Sequence, residues 1–256
     1  MKIKIITTLI IIITLVPLTG LAQFDFNLEN LFTGENDVQS NITLVDFYLI
    51  WSADTYVPYE YQGRALPSPG SKITVQAIVT AIGDTTNLKY SWFIENIFQS
   101  SKSGYGRTTF SFYASQRPNG YQTIKVQVFN EDRTIFDEIS IEIPIVQPEV
   151  VIHSYQNHSI FSDQTVKTSN ISSGKNFFFT AKPYFFSINK LTDLSFQWKF
   201  ANQEPLISSA YNANVLNLAI EGKNDEKVIE NSLWLNVVNK NNPQQKAMQT
   251  IRISIQ

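Results

Sequence analysis

One short pattern occurs twice and limits what this chain can become: Leu88-Lys-Tyr-Ser-Trp92 and Leu194-Ser-Phe-Gln-Trp198. Each reads Leu-x-aromatic-x-Trp, the period-2 alternation of a strand that buries one face. The surroundings repeat in register. Phe110 and Phe112 follow Trp92 by 18 and 20 residues, and Leu216 and Leu218 follow Trp198 by the same 18 and 20. The Val-Phe-Asn130 and Val-Val-Asn239 strand ends fall 38 and 41 residues after their tryptophans, so one loop is three residues longer. Both copies close on an alternating Ile-x-Ile-x-Ile, ending at Ile143 and Ile255. An aligned repeat of this kind implies a duplicated folding unit. One large irregular sheet structure is the alternative.

Composition fits strands. The chain carries 18 Phe and 11 Tyr, a profile that favours sheet over helix, and 43% apolar residues over 256 positions suffice for a substantial core. The balance of 20 basic and 22 acidic residues implies no polyanion, so nucleic acid is not an expected partner. Cysteine is absent, which excludes disulfide staples and thiolate metal sites and leaves core packing to hold the fold.

Read in order, the first copy predicts strands at 41–51, 71–79, around Trp92, and at 108–112, 124–128 and 139–143. Pro144-Ile-Val-Gln-Pro148 then reads as a short, proline-braced and semi-rigid connector. The second copy predicts strands at 150–152, 177–181, around Trp198, and at 216–218, 233–237 and 251–255. Copies of about one hundred residues match the size of immunoglobulin-like sandwiches. The expected fold is therefore all-β, with two tandem Ig-like antiparallel β-sandwich domains over 41–145 and 146–256.

Residues 1–22 read as a signal peptide. Lys2 and Lys4 precede an apolar run over 5–16, and Gly20 and Ala22 sit at the small-residue positions before a cut that leaves Gln23 first. The alternative is an uncleaved N-terminal membrane anchor, because the 18 residues from Ile5 to Ala22 come close to the ~20 needed to span a bilayer. Residues 23–40 have no stable period and read as a lead-in segment.

Gly-led strands, Leu-x-[Tyr/Phe]-x-Trp, Val-x-Val-x-Asn and a final alternating strand together resemble PKD-like and related bacterial Ig-like domains, over about Gly70 to Ile143 and Gly174 to Ile255. A further block, Ile50-Trp-Ser-Ala-Asp54-Thr-Tyr56-Val-Pro58 with Tyr61-Gln-Gly63-Arg-Ala-Leu-Pro67-Ser-Pro-Gly70, is similar to one in uncharacterised secreted or surface proteins of candidate-phylum (Parcubacteria-like) bacteria. The resemblance implies an exported, surface-associated chain and brings no site residue with it.

Residues that could carry chemistry are few. His153 and His158 are five apart, an odd spacing that puts them on opposite faces of a strand, so they read as surface polar residues rather than a metal pair. Glu131-Asp132 and Asp137-Glu138 flank a hairpin turn and read as solvated charge. No G-x-S-x-G elbow and no calcium-loop spacing is present. No catalytic residue, metal site or cofactor is expected, and the chain reads as non-enzymatic.

The 52–70 stretch is the best binding candidate. Tyr56, Tyr59 and Tyr61 crowd beside Asp54 and Arg64, offering apolar area with polar tips. The competing reading lays these aromatics across a sandwich edge as cover. Trp92 and Trp198 read as core, whereas Trp234, between Leu233 and Leu235, points to the opposite face and joins the contact candidates. The expected function is a structural or adhesive module, with a carbohydrate- or peptide-binding module as the alternative. Its partners would be surface proteins or glycans, and it would meet a membrane only through an uncleaved N-terminus.

Overall fold

The computed structural model describes residues 42–155, 164–165, 167–171, 176–201, 212–219 and 228–255. The expected signal peptide, the lead-in and His158 lie outside the described residues. Among those described, no helix is long and apolar enough to cross a membrane.

The chain forms two tandem Ig-like β-sandwiches. In the first, β1 (Thr43–Ala53), β2 (Lys72–Ile82) and β6 (Thr109–Tyr113) make a three-stranded sheet in the order β1-β2-β6. Facing it, β4 (Ile97–Phe98), β3 (Lys89–Ile94), β7 (Gly120–Phe129) and β8 (Phe136–Ile145) form the second sheet, with β5 (Gly104–Tyr105) pairing β3. In the second sandwich, β10 (Gln164–Thr165), β9 (Glu149–Tyr155), β12 (Asn176–Tyr184) and β14 (Val215–Ala219) pack against β11 (Thr168–Ile171), β16 (Lys246–Ile255), β15 (Ile229–Asn239) and β13 (Leu194–Phe200).

The alternation seen in the sequence sets which side chains are buried. Ile73, Val75, Trp92, Phe110, Ile124, Val126, Val128 and Ile143 fill one core. Ile152, Phe179, Trp198, Leu216, Leu233, Leu235, Val237 and Ile251 fill the other. Cores of this kind, at about 25 cal/mol per Å2 of apolar area removed from water, replace the disulfides the chain lacks.

One pairing departs from the expected antiparallel pattern. β10 joins the sheet of β9, but two residues later β11 has moved to the opposite sheet and runs parallel to β16, with Thr168 beside Arg252 and Ile171 beside Ile255. β11 thus lies in the other sheet from β10. It thereby covers the end of β16, which would otherwise be an open edge.

Candidate functional site at the joint of the two sandwiches

Only residues 146–148 separate β8 from β9, so the two sandwiches are close neighbours in sequence. What fastens them is the segment between β1 and β2. Pro58, Pro67 and Pro69 have no N–H to give a ladder and disfavour continued pairing, and the segment crosses to the second sandwich instead. Tyr56 makes an isolated antiparallel bridge with Phe186: Tyr56 N donates to Phe186 O at 2.7 Å and Phe185 N donates to Tyr56 O at 2.7 Å. Thr55 Oγ1 donates to Leu66 O at 2.9 Å and closes the loop on itself. Farther along, Val146 N donates to Pro67 O at 2.9 Å, tying the connector to the same loop.

Side chains extend the contact. Tyr61 packs edge-on against Tyr184 and Phe185, with ring centroids 5.6 and 5.9 Å apart, an arrangement that places ring edges on ring faces. Glu60 pairs with Lys182 across the joint.

At the centre sits Gln245, fully buried with Ser68, Ser71 and Asn239. Its Nε2 donates to Ser68 Oγ and to Pro69 O, both at 2.9 Å. Its Oε1 accepts from Ser187 N at 2.9 Å and from Asn239 Nδ2 at 2.8 Å. A primary amide has two N–H donors and two acceptor lone pairs, so Gln245 is saturated. A buried polar network rigidifies when every member is satisfied, and this one spans both sandwiches. Asn242 Nδ2 adds a second donor to Pro69 O at 3.0 Å.

Asn239 explains why the repeat ends on asparagine. Its Oδ1 accepts from Asn241 N at 2.9 Å and Asn242 N at 3.3 Å, fixing the turn that presents Gln245. In the first copy, Asn130 Oδ1 accepts from Ile135 N at 2.9 Å and its Nδ2 donates to Thr134 Oγ1 at 2.7 Å, fixing the matching turn.

The residues singled out from the sequence are spread among several environments. Tyr56 is half-buried in the bridge, and burial raises its phenol above the ordinary value, with Glu60 adding to the rise and Lys182 opposing it. Tyr61 lies on the second sandwich, and Tyr59 is fully exposed. Asp54 is exposed, and its N–H continues the β1–β2 ladder to Lys72 O at 2.8 Å. Arg64 lies over the Trp51 ring, 4.5 Å from its centroid. Trp234 is half-buried on the outer face of β15 with Lys199 Nζ 5.5 Å from its ring centre, far in sequence from the loop. The tyrosine-rich loop thus splits between the joint and solvent, while Trp234 stands elsewhere.

Sequence reasoning missed Gln245 and Asn242. The signal available was the Asn239-Lys-Asn-Asn-Pro-Gln-Gln245 turn, rich in amides beside a strand end. His153, expected at the surface, is instead buried on β9 between Thr165 and Thr180. Among the described residues, no group of three or more His, Asp or Glu is placed to hold a metal ion.

No family model matches the sequence, and no curated protein does. Among solved structures the chain is similar to three N-terminal domains of the Highly Immunogenic Outer Capsid protein (Hoc) of bacteriophage RB49, at 12% identity and a TM-score of 0.43, over 84% of this chain and 59% of that one. It is also similar to fibronectin(III)-like modules of Clostridium thermocellum CbhA, at 12% identity and a TM-score of 0.26, over 80% of this chain and 93% of that one. A third is the ICAM-5 D1–D4 ectodomain fragment, at 10% identity and a TM-score of 0.27, over 83% and 54%. These neighbours are Ig-like and fibronectin-like β-sandwich domains at low identity.

Proposed function

We propose that this chain is a non-enzymatic exported protein of the cell surface or its surroundings, in which two Ig-like sandwiches fastened by the 54–70 clasp act as one stiff structural or adhesive module. The observation that carries this reading is the saturated Gln245 amide between Ser68, Pro69, Ser187 and Asn239. A flexible tether needs no buried network, since linkers that only connect are polar and solvated. Export rests on the 1–22 segment, and kinship with secreted proteins of candidate-phylum bacteria rests on the 50–70 block.

NMR relaxation of the full chain tests the proposal. Both sandwiches are expected to share one rotational correlation time, and the double variant Tyr61→Ala/Gln245→Ala is expected to shorten it by loosening the joint. Two correlation times in the unaltered protein would overturn the stiff-module reading.

The alternative is recognition of a glycan or peptide by the loop itself. Its support is Tyr59, a fully exposed aromatic at the loop's outer turn, with Arg64 nearby in sequence. Pulldown or glycan-array binding abolished by Tyr59→Ala would favour it.

A further inference from the structure

The two copies present the same end of the sandwich to different surroundings. In the second copy, the β12–β13 connection and the β15–β16 turn meet the clasp through Phe185, Phe186, Asn242 and Gln245. In the first copy the matching turns, 83–87 and 130–135, lie at the opposite end of β8 from the joint. There Ile42, Asn87, Tyr105, Asn130, Glu131 and Asp132 line an open cleft of about 560 Å3. We propose that this cleft binds a neutral saccharide unit, with Tyr105 as its stacking surface and Asn87, Glu131 and Asp132 as partners for its hydroxyl groups.

The size suits the purpose, since small-ligand sites run from about 300 to 1,000 Å3. Tyr105 is 54% exposed yet held in place, because β5 pairs it with Lys89 on β3. An aromatic ring fixed at a cleft wall offers an apolar face beside a polar tip, the chemistry that a sugar's C–H face and hydroxyls require.

The polar groups divide their labour. Asn130 is used up in fixing the turn, and Asp132 Oδ1 accepts from Thr134 N at 3.2 Å and Thr134 Oγ1 at 2.9 Å. The turn so braced holds Glu131 between them, and carboxylate acceptors make the stronger, charge-assisted bonds to hydroxyl donors.

Charge selects against ions. Lys89 Nζ lies 5.7 Å from the Tyr105 ring centre and 5.8 Å from that of Phe129, and Arg133 lies 5.2 Å from Phe129. The carboxylates of Glu131 and Asp132 on the cleft wall repel an anionic ligand, and Lys89 beside the Tyr105 ring disfavours a cationic one.

Nor does this end match its copy as a docking face for a protein loop. The turn at Gly83-Asp-Thr-Thr-Asn87 is exposed and has nothing in place of Phe185 and Phe186. The inference goes beyond the stiff-module reading and does not depend on it, because the cleft and the joint lie at opposite ends of the first sandwich.

The test is NMR titration of the full chain with neutral hexose oligosaccharides, alongside an oligouronate and an oligolysine peptide. Amide signals of 83–87, 104–106 and 130–135 are expected to shift with a neutral sugar. Tyr105→Ala is expected to weaken binding about tenfold, as loss of one good ring contact would. Glu131→Gln should weaken it less, and Gln245→Ala should leave it unchanged. Both tip residues are at the surface, and a matching thermal melt confirms that each variant folds. Shifts with the charged probes alone, no shift with any neutral sugar, or equal binding by Tyr105→Ala would each overturn the proposal.

Discussion

Gly70 turns the clasp back into β2 with a φ of +74°, a region that costs other L-residues about 1–2 kcal/mol. A Cβ there would also come within 3.0 Å of Asn242 Nδ2 and 3.2 Å of Gln116 Nε2. Gly70→Ala is therefore expected to lower stability by about 1–2 kcal/mol in denaturant titration, and to disturb the Asn242–Pro69 contact. Tyr56 makes a second residue-scale prediction. Burial raises its folded value above the ordinary 10.0, so its contribution is complete below that pH and is lost as pH rises through the folded value. Melts in alkaline solution should show the joint weakening, and Tyr56→Phe should remove one late phenol from the phenolate absorbance titration. An unchanged titration curve would show that Tyr56 is not held as described.

At the scale of elements, the two tryptophan strands do the same work in each copy. Trp92 Nε1 donates to Arg107 O at 2.7 Å and Trp198 Nε1 donates to Ala213 O at 3.0 Å, each spanning 15 residues. Each ring is fully buried and ties its strand to the segment leading into the opposite sheet. Trp92→Phe and Trp198→Phe each lose packing volume and leave a carbonyl without its donor. A cost of about 2–4 kcal/mol apiece is expected in chemical denaturation, and a neutral substitution at either site would refute the shared role. These strands were legible because their alternation was complete. The short β4 and β5 were not, since two residues carry no period. From the sequence Gly104-Tyr105-Gly106 reads only as a turn, whereas Gly104 and Tyr105 pair with β3 and the candidate cleft depends on Tyr105.

For the whole molecule, a fastened joint should make the sandwiches unfold together. Calorimetry is expected to show one transition in the unaltered chain and two in the double variant Tyr61→Ala/Gln245→Ala, which removes the ring contact and the central amide. Loss of Gln245 alone should cost about 1–3 kcal/mol, because it leaves the half-buried Ser187 N–H without its acceptor and the buried Asn239 amide with one bond fewer. Two transitions in the unaltered protein would mean the joint transmits no stability.

Period and register needed no coordinates. Alternation is local, so Trp92 with Phe110 and Trp198 with Leu216 announced two sandwich cores from the chain itself. Pro58, Pro67 and Pro69 likewise mark a departure from the ladder, although Ser52 and Ala53 still pair with β2. Where that segment goes depends on a contact between residues 68 and 245, and on a bridge from residue 56 to 186. Hydrogen bonds across such separations leave no periodic trace in sequence. Tertiary structure alone decided that Tyr56 and Tyr61 belong to a joint, that one end of the second sandwich meets the clasp, and that among the described residues the matching end of the first carries a cleft.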